Sequence, residues 1–173
     1  MQKYAFFKPV LRLAKVLGNV HLLGNGVNCE FSLDEKNAFS NSCNFIPQKG
    51  LSFDRMCISK NTYHSEEYKC KKTLSNVVIV SEVFFKIKKI VCIFEENLIE
   101  RCYIIGTELI IDPFQCASNM NAGVHVSHIM HVYENPNNNL KVYPAELIND
   151  IALYAEMSTD KYVCKLACKY ETE

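Results

Sequence analysis

The chain has 173 residues with 19 basic and 19 acidic side chains; 49% of its residues are hydrophobic and 22% charged. A chain of this size can bury roughly 70% of the surface its unfolded form exposes, so a core needs no metal or disulfide, and the apolar fraction at zero net charge excludes a wholly disordered chain. A membrane-spanning helix is excluded too, because the longest apolar stretch, Val77 to Phe94, is interrupted by Glu82, Lys86, Lys88 and Lys89.

The first 29 residues carry Lys3, Lys8, Arg12 and Lys15 and no carboxylate. Pro9 to Leu17 is expected to form a short helix with Pro at its first position and Gly18 as its stop. Val10, Leu11, Leu13, Ala14 and Leu17 share one face and Arg12 and Lys15 the other. With Phe6 and Phe7 ahead of it, this basic amphipathic segment suits a helix docked on the core, a membrane- or partner-binding segment, or an organelle presequence. Gly18 to Gly50, with Gly24, Gly26 and Pro47, is expected to be mostly irregular and pinned by Phe31, Phe39 and Phe45. Leu51 to His64 alternates loosely and predicts a strand.

Ser75 to Leu98 is ambiguous. Its β-branched run Val77 to Val80 argues strand, whereas Val77, Val80, Phe84, Ile87, Val91, Phe94 and Leu98 follow a three-four spacing. That stripe, with a cap at Ser75 or Asn76 and a Glu82–Lys86 pair, predicts one or two helices. Ile99 to Ile105 and Glu108 to Ile111 then flank Gly106-Thr107 as the arms of a hairpin. Val124 to Tyr133 predicts a strand, Glu134 to Asn139 a loop, and Pro144 to Met157 a helix with Leu147, Ile148, Ile151, Tyr154 and Ala155 on one face. Asp160 to Tyr170 alternates as a strand, with Lys161, Lys165 and Lys169 forming a basic face.

Nine cysteines, an odd number, fit a reducing, cytosolic setting in which thiols are free and mostly buried. His125, His128 and His131 cannot converge from one strand, and no cysteine pair has the two-residue spacing of structural zinc sites, so no metal and no cofactor is expected. No local signature pairs one Cys with a base, and the adjacent Glu66-Glu67 and Glu95-Glu96 diverge on any regular element. No phosphate-binding glycine loop is present. Sixteen Lys stand against three Arg, which favours diffuse attraction to phosphate over base readout. Lysines gather in the N-terminal segment, at Lys69, Lys71 and Lys72, and on the last strand.

Three pieces carry a resemblance: residues 123–133, Pro144 to Met157, and Lys161 to Tyr170. In order of elements over about the last 120 residues the chain resembles rhabdovirus matrix proteins, the short plant cytorhabdovirus kind in particular. The resemblance implies a non-enzymatic viral matrix protein that self-associates, condenses the viral nucleoprotein–RNA complex and links it to an anionic membrane surface, without a small-molecule substrate. It would be found in the virion, the host cytoplasm and the inner face of membranes. Lys3, Phe6, Phe7, Lys8, Arg12 and Lys15 would then contact lipid or the next protomer. The expected architecture is α+β: a small, mainly antiparallel sheet with packed helices and an extended N-terminal arm, divided into a basic arm and irregular segment over 1–50 and a core over 51–173. The alternatives are a subunit of an organellar complex, with residues 1–18 as its address, and a thiol hydrolase.

Overall fold

Short apolar runs separated by two-residue polar breaks dictate the architecture. The computed structural model describes residues 13–68, 76–94, 100–112, 129–136 and 139–165. In chain order it contains β1 (Leu13–Leu17), β2 (Val20–Leu23), β3 (Val27–Glu30), α1 (Leu33–Cys43), β4 (Lys49–Phe53), β5 (Arg55–Ile58), β6 (Asn61–His64), β7 (Val77–Val80) and β8 (Val83–Phe94). There follow β9 (Glu100–Ile111), β10 (Ile129–Glu134), β11 (Lys141–Pro144), a 3-10 turn over Ala145–Leu147, β12 (Ile148–Met157) and β13 (Asp160–Lys165). The described strand pairings are all antiparallel.

Six strands close on themselves in the order β7-β8-β9-β10-β13-β12, with β12 returning to β7. Closure removes the sheet edges that would otherwise recruit stray strands. Val77 and Ile79, Phe84, Leu109, Val132, Val163 and Ala152, drawn from all six strands, meet in one cluster that fills the lumen. Outside the barrel, a four-stranded sheet in the order β1-β2-β5-β6 lays Val20, Leu22, Met56, Ile58 and Tyr63 against Val78, Val80, Phe85 and Ile87. The strand β7 is therefore covered on both faces, which is why all four of its residues are apolar.

The strands β8 and β9 are long enough to leave the barrel. Their far halves pair with β4 and β11 and present Val91, Ile93, Tyr103 and Ile105 to Ala38 and Phe39 of α1. The helix begins at a capping box: Glu35 N donates to Ser32 Oγ at 3.2 Å, and Ser32 N donates to Glu35 Oε2 at 2.8 Å. It ends at Asn44 in the left-handed region, φ 58. Replacing Ser32 by Ala should lower stability by about 1 kcal/mol, seen as a reduced urea midpoint at unchanged slope; an unchanged midpoint would mean that water caps the helix as well.

These observations correct several expectations. The chain is mostly β with a closed six-stranded barrel, not an α+β sheet packed with helices. Residues 13–17 of the expected N-terminal helix form a strand, and Gly18, φ 59, turns the chain into β2. The stretch expected to be irregular up to Gly50 holds β2, β3 and α1, all packed into the body. The expected helix over 75–98 is the β7–β8 hairpin, with Ser81 and Glu82 both at positive φ (47 and 71), the turn that matches strand twist. Gly106-Thr107 is no turn: β9 runs straight through it. The expected helix from Pro144 to Met157 is the 3-10 turn followed by β12. The strands expected before Tyr133 and after Asp160 are observed as β10 and β13 where they are described. Of the three pieces behind the resemblance, the described parts of the outer two, 129–133 and 161–165, are strands as expected, and the middle one is a 3-10 turn and a strand in place of a helix.

Candidate functional site

The strand β11 pairs with β9 on one side only, and α1 covers its other edge, where Val142 N donates to Ser42 Oγ at 3.4 Å. Helix and strand do not close the space between them. Two cavities, of about 710 Å³ and 630 Å³, lie along this seam and share Asn41 and Lys141 in their walls. Arg101 lines the first and Lys88 the second, each with an interaction of its own, so the described lining holds three cations and one carboxylate, Asp34. Asn37 and Asn139 add amide donors. Lys141 is exposed and has no ion-pair partner among the described residues. Tyr143 gives its hydroxyl proton to Glu108 Oε1 at 2.6 Å; burial and this bond push its pKa up to about 12, so the phenol stays neutral. Such a wall of ammonium, guanidinium and amide donors suits anionic oxygen.

A second polar cluster sits inside the barrel. The period of two places Lys86, Thr107, Glu134, Lys161 and Tyr154 on the same strand faces as the apolar lumen residues. Glu134 accepts from Lys161 at 2.8 Å and from Lys86 at 3.3 Å, and Glu66, from the segment after β6, approaches Lys86 at 3.0 Å. The Lys86 ammonium also lies 5.5 Å from the Tyr154 ring centroid. Burial pulls Lys86 down, but Glu66, Glu134 and Tyr154 together outweigh it and raise its pKa. The Lys161 bond holds Glu134 below its ordinary range, and Glu134 in turn raises Lys161. The cluster is charged, paired and only 12% exposed at Lys86, a tether between strands rather than a free binding surface.

Among the residues expected to act, Lys15 is on β1, paired with Glu100 and 5.4 Å from the Phe94 ring centroid, so its charge is bound within the chain. Lys161 points into the lumen at 25% exposure, while Lys165 is exposed. Lys3, Phe6, Phe7, Lys8, Arg12 and Lys169, with Lys69, Lys71, Lys72, His125 and His128, lie outside the described residues. His131 stands on the outer barrel wall between Asp112 (3.2 Å from Nδ1) and Asp160 (3.6 Å from Nε2). No group of three or more His, Cys, Asp or Glu able to hold a metal occurs among the described residues. Burial raises the thiol pKa of Cys29, of Cys102 and of Cys92, the last to about 12, which makes all three poor nucleophiles. No α-helix among the described residues is long and apolar enough to cross a membrane.

The groove residues were not singled out by sequence reasoning. Ser32-Leu33-Asp34-Glu35 was a readable helix start. Nothing local links it to Arg101 or Lys141. No family model matches the chain, and neither a curated protein nor a solved structure matches it.

Proposed function

We propose that the protein is a non-enzymatic assembly protein that grips a phosphate-bearing partner, a nucleoprotein–RNA complex, in the groove between α1 and β11. The observation that carries this reading is exposed Lys141, which lines both cavities in a wall that also holds Arg101 and Lys88 and one carboxylate. Phosphate backbones are held by such charges without sequence readout, which fits a protein that must coat RNA of any sequence. Self-association and attachment to an anionic membrane surface belong to the same proposal through the resemblance to rhabdovirus matrix proteins. The raised thiol pKa values of Cys29, Cys92 and Cys102 weigh against these three as the nucleophile of a thiol hydrolase.

The test is fluorescence anisotropy with labelled single-stranded RNA, free and nucleoprotein-bound, across a salt series. The chain carrying Lys141→Glu and Arg101→Glu should bind more weakly. Its plot of log affinity against log salt should flatten by roughly 0.7 for each phosphate that is no longer neutralised. Equal affinity and equal slope for variant and parent would remove the groove from the reading.

A further inference from the structure

The register of the β8–β9 hairpin sets Cys92 directly opposite Cys102. We propose that these two residues are an oxidation site, joining in an intrachain disulfide when the protein meets an oxidising environment. Directly opposed residues on antiparallel strands have Cα atoms roughly 4.5 or 5.5 Å apart and side chains on one face. Both separations fall within the span of roughly 4.4–6.8 Å that a disulfide bridges. Both side chains belong to the same core cluster, flanked by Ile90 and Ile104, and the charge of one thiolate would raise the pKa of the other, as expected of close neighbours. The Cys92 thiol donates to Glu100 Oε1 at 3.3 Å, a bond that with burial holds the proton on sulfur and slows the oxidation.

The other described cysteines are arranged differently. The cross-strand partners of Cys29, Cys57 and Cys164 are Gly50, Thr62 and His21, and Ile129 and Leu153, while Cys43 ends α1. In the proposed step each thiol gives up one proton and one electron, and a two-electron, two-proton acceptor of the azo class, diamide, becomes its hydrazine as the S–S bond forms. At 2% and 6% exposure, Cys92 and Cys102 admit only a small oxidant and react slowly. The bond would fasten the two strands shared by the barrel and the groove-bearing sheet.

The full chain is treated with diamide under native conditions, its remaining thiols are alkylated, and the digest is read by mass spectrometry. The expected product is a linked peptide pair containing Cys92 and Cys102, lighter by two hydrogens, with a raised urea midpoint that dithiothreitol reverses. The Cys102→Ala chain should lose both the linked pair and the shift. Recovery of both cysteines alkylated after the exposed thiols are consumed, or a midpoint shift that persists in Cys102→Ala, would overturn the proposal.

Discussion

The Gly106→Ala chain is expected to lose about 3 kcal/mol or more of folding stability, since an added β-carbon meets the closest contact found at any described glycine. A β-carbon built at Gly106 falls 1.9 Å from the Lys86 carbonyl oxygen and 2.9 Å from its carbonyl carbon. Both are backbone atoms of a neighbouring barrel strand, so no rotamer change relieves the collision. The close approach arises because the β8–β9 register shifts between Ile87 and Lys89, where an extra residue bends β8 toward its partner. Gly18 provides the control: it sits at φ 59 with nothing within 4 Å of an added β-carbon. Gly18→Asn should therefore cost under about 1 kcal/mol, because Asn tolerates that backbone region. Urea unfolding followed by circular dichroism separates the two. A Gly106→Ala midpoint close to the parent's would mean that the strands can part at the bulge.

The same glycine shows where the sequence misleads. Gly before Thr between two apolar runs reads equally as a hairpin turn and as a strand position where backbones touch, and only the partner strand decides. The three-four spacing from Val77 to Phe94 fails for a related reason. Val77, Ile79 and Phe84 face the lumen while Val78, Val80 and Phe85 face the outer sheet, so apolar residues occupy both faces and a helical stripe can be picked out of two successive strands. The β-branched run was the better signal. In β12 the register shift between Ile148 and Asp150 lets Ile148 and Ile151 join the same core cluster, so a bulged strand acquires a helix-like three-residue spacing. The strand β10 was readable because one of its sides is wetter than the other, whereas the single strand expected over Leu51 to His64 is divided among β4, β5 and β6 by a bend at Asp54 and a turn at Ser59-Lys60.

The site was less legible than the fold. Its walls come from residues 34–45, 88, 101–103 and 139–147, which only the pairing of β11 with β9 and the docking of α1 bring together. The last strand gives a subtler lesson. Alternation correctly put Lys161 and Lys165 on one side, but Val163 lies between them on that side and is fully buried. The core claimed that face, and Lys161 went inward to meet Glu134.

That meeting supports the second large effect: Glu134→Gln should cost about 2 kcal/mol, because it leaves Lys86 and Lys161 facing each other with only Glu66 to offset the charge. The cost sits below that of a fully buried pair, since Glu134 keeps 30% of its side-chain surface exposed. Adding Lys161→Met to Glu134→Gln should recover part of it, because one of the two opposed cations is then gone. The pH dependence follows with a definite sign. Glu134 is held below its ordinary 4.5 in the folded chain, so its contribution is complete above pH 4.5 and is lost as pH falls through the lowered folded value. Lys86 and Lys161 are raised above their ordinary 10.5, so their contributions are complete below pH 10.5 and are lost as pH climbs through the raised values. Between those limits the network is fully charged, and stability from this source should be flat. Urea titrations from pH 3 to 7 should show the parent falling more steeply on the acid side than Glu134→Gln, which carries no proton acceptor at that position. Parallel acid limbs for the two chains would show that solvent screens the network and that the lumen is held by its apolar residues alone.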